Sequence, residues 1–214
     1  MNKLLLPALF FGLLILSYCA GRKHTSPLGS YKMLGTVKGV ADGTWIYLKN
    51  NEGSSLTPLL DSALVKEERF EFRGQLKDKV LQTMVSFKEP FYDADGTFKG
   101  YKLSDAAMLW LENSDVRLEG EKGSLFKAKI TGSATQQDFE RVLKSSGDDK
   151  LLGFIRHNPN TSYLGIYLLN LNKEKFGKEV AAELFSLMTE DKRETNYGRE
   201  IDDYLGARNS RGVN

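Results

Sequence analysis

The spacing of apolar residues changes once along this chain, near Ser133, and that change limits the fold more than any other feature. From Tyr31 to Thr131 the period is two. Phe70 and Phe72 alternate with Glu71 and Arg73, Val116 and Leu118 with Arg117 and Glu119, and Phe126, Ala128 and Ile130 with Lys127, Lys129 and Thr131. Each pattern buries one strand face and wets the other. Thr44–Leu48, Val80–Phe87 and Ala107–Leu111 are apolar on both faces, as central strands are. Asp42-Gly43 lies between two candidate strands and reads as a hairpin turn, because Gly accepts positive φ.

Beyond Ser133 the period is helical. Ser133-Ala134-Thr135-Gln136 has capping-box spacing, with the Ser133 hydroxyl on an early helical N–H and Gln136 reaching back. Phe139, Val142 and Leu143 follow on one face. Leu151–His157 reads as a second helix, stopped by Asn158-Pro159 because the residue before Pro avoids the α region. Thr161 or Ser162 can cap a third, running to about Leu171. Val180, Leu184, Leu187 and Met188 line a fourth, and Tyr197, Ile201, Tyr204 and Leu205 a fifth. The expected fold class is α+β: an antiparallel β-sandwich-like domain over 31–132, a small C-terminal helical segment over 133–208 and a polar tail over 209–214.

Ahead of this domain stands a leader. Met1-Asn2-Lys3 is cationic, Leu4 to Leu16 is apolar, and Cys19 follows. The apolar run is shorter than the ~20 residues of a membrane span, so 1–18 reads as a secretory signal peptide. Cys19 is the candidate lipidation site, which would anchor the protein in the cell envelope through an N-terminal lipid. Leu16 and Ser17 suit that pattern and Tyr18 departs from it. Plain cleavage, for example after Gly21, would leave a soluble periplasmic protein, and an uncleaved anchor is the third outcome. Residues 19–30 read as a tether. In surface-displayed lipoproteins of some Gram-negative groups acidic residues follow the cysteine, and by that resemblance the basic Arg22-Lys23-His24 implies a periplasm-facing protein.

Composition removes several function classes. The 30 Lys and Arg balance 28 acids, for a net charge of +2, and no basic stripe marks a nucleic-acid partner. With one cysteine there is no CxxC pair, and the histidines are only His24 and His157, so no cofactor or metal is expected. His157 sits at a helix end, where it suits the helix dipole better than a catalytic triad. Asp93, Asp95 and Gly96 fit three places of a calcium loop, but Phe91 and Lys102 occupy ligand places that need carboxylates; an Asp-Gly turn explains the segment. Phe91, Tyr92, Phe98 and Tyr101 form a candidate partner-binding loop among polar residues. A hairpin whose aromatics fold back on the sandwich explains the same residues.

Tyr31-Lys32-Met33-Leu34-Gly35-Thr36-Val37-Lys38-Gly39, Asp42-Gly43-Thr44, Leu60-Asp61-Ser62-Ala63 and Phe70-Glu71-Phe72-Arg73-Gly74 follow in order. Leu111-Glu112-Asn113, Ile130-Thr131-Gly132-Ser133 and Phe154-Ile155-Arg156-His157-Asn158-Pro159 come after them. This ordered set resembles the N-terminal domain of unknown function found in TlpA-like thiol-disulfide interchange lipoproteins, over roughly Tyr31 to Leu205. In that family a thioredoxin-like domain with a CxxC dithiol usually follows, and the sequence in hand reaches about where it would begin. Disulfide exchange needs an attacking and a resolving thiol, so the oxidoreductase activity does not carry over. The resulting expectation is an envelope lipoprotein that is a non-catalytic binding or assembly module, as an accessory to a separate thioredoxin-like protein in one variant. The alternatives left open are a truncated oxidoreductase relative and a hydrolase using two convergent carboxylates.

Overall fold

The computed structural model describes residues 29–52, 58–144 and 147–206. Cys19, His24 and the rest of the leader lie outside these residues, as does the C-terminal tail. Among the described residues, no helix is long and apolar enough to cross a membrane.

Nine strands form two sheets. The first has the order β4 (Arg69–Gly74), β1 (Tyr31–Lys38), β8 (Asp115–Glu121), β9 (Lys129–Thr131). In the second, β3 (Leu59–Leu64) pairs β2 (Trp45–Asn50), which pairs β5 (Val80–Tyr92). The far edge of β5 is shared: Val80–Val85 pair with β7 (Ala107–Glu112), and Lys88–Tyr92 pair with β6 (Phe98–Leu103). The sheets are antiparallel except for one pair, β1 with β8, which is parallel.

Period-two burial builds the core between the sheets. Met33, Val37, Phe72 and Leu118 meet Ile46, Leu48, Val85 and Leu109. The outer face of the first sheet carries charge, with Arg69, Glu71, Arg73, Arg117 and Glu119 exposed. The outer face of the second sheet is treated differently at its two ends. At one end Val80 and Trp110 are buried under a helical layer with Ile155, Leu164, Leu169, Leu184 and Ile201. At the other end no helix covers it.

The helices are α1 (Ala134–Leu143), α2 (Asp148–His157), α3 (Leu164–Ser186), α4 (Glu190–Arg193) and α5 (Asn196–Leu205). The third helix runs past Leu171 and breaks only at Gly177, whose φ of 78° interrupts the helical backbone. Ser162 Oγ accepts from Leu164 N at 3.2 Å at its start. Thr161 instead turns its hydroxyl to Asp138 Oδ2, 3.0 Å away. At the end of α2, His157 Nδ1 lies 2.7 Å from Gly153 O. A carbonyl only accepts, so Nδ1 carries the proton and caps the helix end.

Four sequence expectations change. Asp42-Gly43 forms a turn, with Gly43 at φ 80°, but not a hairpin. It carries the chain from β1 in one sheet to β2 in the other, held by Gly43 N to Val65 O at 2.9 Å. The strand expected through Phe126, Ala128 and Ile130 is a 3-10 turn over Leu125–Lys127 followed by the short β9. The turn's threefold period rotates Leu125 inward and leaves Phe126 exposed. Gln136 does not reach back to its own cap. Ser133 Oγ accepts from Gln136 N at 3.1 Å, but the Gln136 side chain accepts from Trp110 N at 3.0 Å and so ties α1 to β7. Finally, Leu143 and Leu187 are exposed, while α1 buries Thr135, Gln136 and Asp138. That polar face is satisfied by the sheet and by Thr161 rather than by apolar packing.

Candidate functional site

The uncovered end of the second sheet is the candidate site. Strand alternation turns Ile46 and Leu48 into the core and sends Trp45 and Tyr47 outward. Trp45 is 49% exposed. On the neighbouring strand Lys88 and Pro90 are exposed, because β5 continues here beyond the sheet as a two-stranded ribbon with β6. Pro90 pairs with Tyr101, which is 69% exposed. The notch between this ribbon and the Asp42–Trp45 turn is a cleft of about 420 Å³ lined by Trp45, Tyr47, Lys88, Pro90, Tyr101 and Asp42. Its size falls within the usual range of ligand pockets, and its walls combine aromatic side chains with the polar Asp42, Thr44 and Lys88.

The charges in the cleft are uneven. Lys88 Nζ in the cleft wall and Lys49 Nζ just outside the cleft lining lie 5.9 and 5.8 Å from the centre of the Tyr47 ring, each in cation–π placement. Neither lysine has a carboxylate partner among the described residues. Asp42 is occupied by the turn, with Oδ1 accepting from Glu67 N at 2.7 Å. Directly opposite Tyr47 on β5 stands Ser86, whose buried Oγ has no hydrogen-bond partner among the described residues.

The four loop aromatics lie on the ribbon, which is a hairpin rather than a loop. Their side chains do not fold back into the sandwich core: Phe91, Tyr92 and Phe98 are about half exposed. Tyr92, Phe98 and Tyr101 make a run of edge-to-face contacts with centroids 5.8 and 5.4 Å apart. Tyr101 connects this run to the cleft. Trp45, Tyr47 and Lys88 went unnoticed in the sequence because Thr44–Leu48 and Val80–Phe87 looked apolar on both faces. The detectable signal was two aromatics at i and i+2, beside a Gly turn.

Acidic groups also gather at the ribbon tip and beside the last helices. At the ribbon tip Thr97 N donates to Asp93 Oδ1 and Asp95 Oδ1, each at 2.9 Å, and Lys99 pairs with Asp93 at 2.8 Å. Hydrogen bonding shared with Asp93 and the bonds from Thr97 lower the pKa of the Asp95 carboxyl to about 2. Beside α4 and α5 a second cleft of about 470 Å³ gathers Glu190, Glu194 and Asp202 with Arg193 and Arg199. Arg193 donates to Ser186 O at 2.9 Å and lies over the Phe185 ring. Among the described residues, no group of three or more His, Cys, Asp or Glu could hold a metal ion.

A comparison with curated proteins and with solved structures finds no match. The sandwich itself is recognised: residues 31–139, just over half of the 214 residues, match the family described as Domain of unknown function (DUF4369), and the chain belongs to that family.

Proposed function

We propose that this protein is a non-catalytic binding module of the cell envelope, held by a lipid on Cys19 and facing the periplasm, with the Trp45–Tyr47–Tyr101 cleft as its working face. The observation that carries the reading is that one end of an otherwise covered sheet face exposes aromatic side chains in a cleft. Leaving such surface in water forgoes burial, so its retention marks a surface used for contact. Polarity supports the same reading, since the outer face of the first sheet is charged and needs no partner.

Orientation adds support. The chain enters the sandwich at Tyr31, next to the Lys32 N to Ser114 O bond, and β1 runs from there toward the turn at Asp42. The cleft therefore borders the end of β1 remote from Tyr31, where a lipid anchor would leave it accessible. Metabolic labelling with palmitate tests the anchor: label is expected on the protein and lost in Cys19→Ser. An unlabelled, soluble periplasmic protein would remove the lipid from the reading. Photo-crosslinking from Trp45→p-benzoylphenylalanine tests the working face. Capture that disappears in Tyr101→Ala, with unchanged circular dichroism, is expected; no capture would remove it.

A further inference from the structure

The chemistry of the cleft narrows its occupant. Trp45 and Tyr47 are two residues apart on β2, so their side chains emerge about 7 Å apart on one face. Tyr101 on β6 lies two strand spacings away, about 10 Å. The rings therefore form a platform wider than one small ligand, and the cleft is a notch open to solvent rather than an enclosed cavity. Pro90 contributes a fourth flat apolar surface between them.

This platform suits a chain of rings that are apolar on their faces and polar at their edges. A pyranose has that character: its C–H faces pack on aromatic side chains while its hydroxyl edges stay in water or meet polar groups. An extended peptide is a poorer fit. It would need main-chain hydrogen bonds from the neighbouring strand, and Pro90 brings no N–H to the stretch of β5 bordering the cleft. Charge sets the remaining property. Lys49 and Lys88 stand near Tyr47 without a carboxylate partner among the described residues, while Asp42 is engaged by Glu67 N and Glu89 by Lys122.

Resting on the binding-module reading, we propose that the cleft binds an acidic oligosaccharide. Its sugar rings stack on Trp45, Tyr47 and Tyr101, and Lys88 with Lys49 meets a ring carboxylate. No bond is made or broken.

The test is a titration of the purified protein with a trimer of galacturonic acid, its methyl ester, neutral maltotriose and a short polyglutamate, read by tryptophan emission and calorimetry. The acidic trimer is expected to change the emission of Trp45, and Trp45→Phe to abolish that response. The ester, and the acidic trimer with Lys88→Gln, should each bind about tenfold or more weakly. Added salt should weaken the acidic trimer alone. Equal binding of maltotriose, preference for polyglutamate, or no response to the acidic trimer would each overturn the proposal. If the sugars fail while the Trp45 photo-crosslink is still captured in a Tyr101-dependent way, the working face stands and only the sugar assignment falls. If both fail, the binding-module reading falls with it.

Discussion

The Glu52 carboxylate, at the end of β2, accepts a hydrogen bond from the Tyr197 hydroxyl in α5, 145 residues further along the chain. The same oxygen accepts from Gln82 N at 2.8 Å. One side chain thus joins two strands to the last helix. Tyr197 also stacks edge-on against Tyr167, and Tyr167 against Trp110, so the latch is continuous with the aromatic contact between sheet and helices. Replacing Tyr197 with Phe keeps the ring and deletes the bond. The expected loss is about 1.5–3 kcal/mol, the range for a hydrogen bond to a charged group, measured by urea unfolding.

Glu112 performs a similar role at the end of β7. Its carboxylate accepts from Ala134 N at 3.0 Å and Thr135 N at 3.1 Å, the free N–H groups of the first turn of α1. A carboxylate there is favoured both by the hydrogen bonds and by the helix dipole. Glu112→Ala should cost about 1–2 kcal/mol, with loss of helical signal greater than loss of strand signal if α1 frays first.

Gly35 is a packing site rather than a turn. It pairs with Phe70 across β1 and β4, and a Cβ there would stand 1.9 Å from Phe70 Cζ. The ring fills the space that the glycine leaves empty. Gly35→Ala should destabilise by about 1–3 kcal/mol or more, because Phe70 must leave its rotamer in a closed core. A double variant with Phe70→Leu should recover part of that loss.

The two tryptophans report on different regions. Trp45 is about half exposed in the cleft, and Trp110 is buried between β7 and the helices. Acrylamide should quench one emitting population and spare the other, and Trp45→Phe should leave only the protected one. Quenching of the remaining signal in folded Trp45→Phe would contradict the placement of the helical layer.

Stability should fall at alkaline pH. Burial, then the charge and hydrogen bond of Asp191, push the Tyr163 phenol up to about 12, from an ordinary value of 10.0. Burial, then the hydrogen bond to Glu52, push Tyr197 in the same direction. A raised folded pKa means that the folded state holds its proton more tightly. The contribution is therefore complete below pH 10 and lost as pH rises from there through about 12. Urea midpoints measured across that window should decline, with phenolate absorbance from these residues appearing together with unfolding.

The division between a strand half and a helix half was legible in the sequence, because period two and period 3.6 are local properties of the chain. The inward residues Phe70, Phe72, Val116 and Leu118 and the stop at Asn158-Pro159 follow from the same local rules. For Phe91–Tyr101 local rules leave open a loop of exposed aromatics and a hairpin folded back on the sandwich, and the alternation that exposes Trp45 is present but reads as a central strand. What period cannot state is which strands become neighbours. Asp42-Gly43 looks the same whether it closes a hairpin or crosses between sheets, since a turn is defined by four residues and a sheet by distant ones. The parallel pairing of β1 with β8, the sharing of β5 between β7 and β6, and the cap given by Glu112 all join residues far apart in sequence. So does the cleft, because Trp45 and Tyr101 meet only after β2, β5 and β6 align. The chain alone determined its periods and the inward faces of its alternating strands. The tertiary structure decided which outer face the helices cover, and so which aromatics remain in water, because that depends on strand order and not on any one segment.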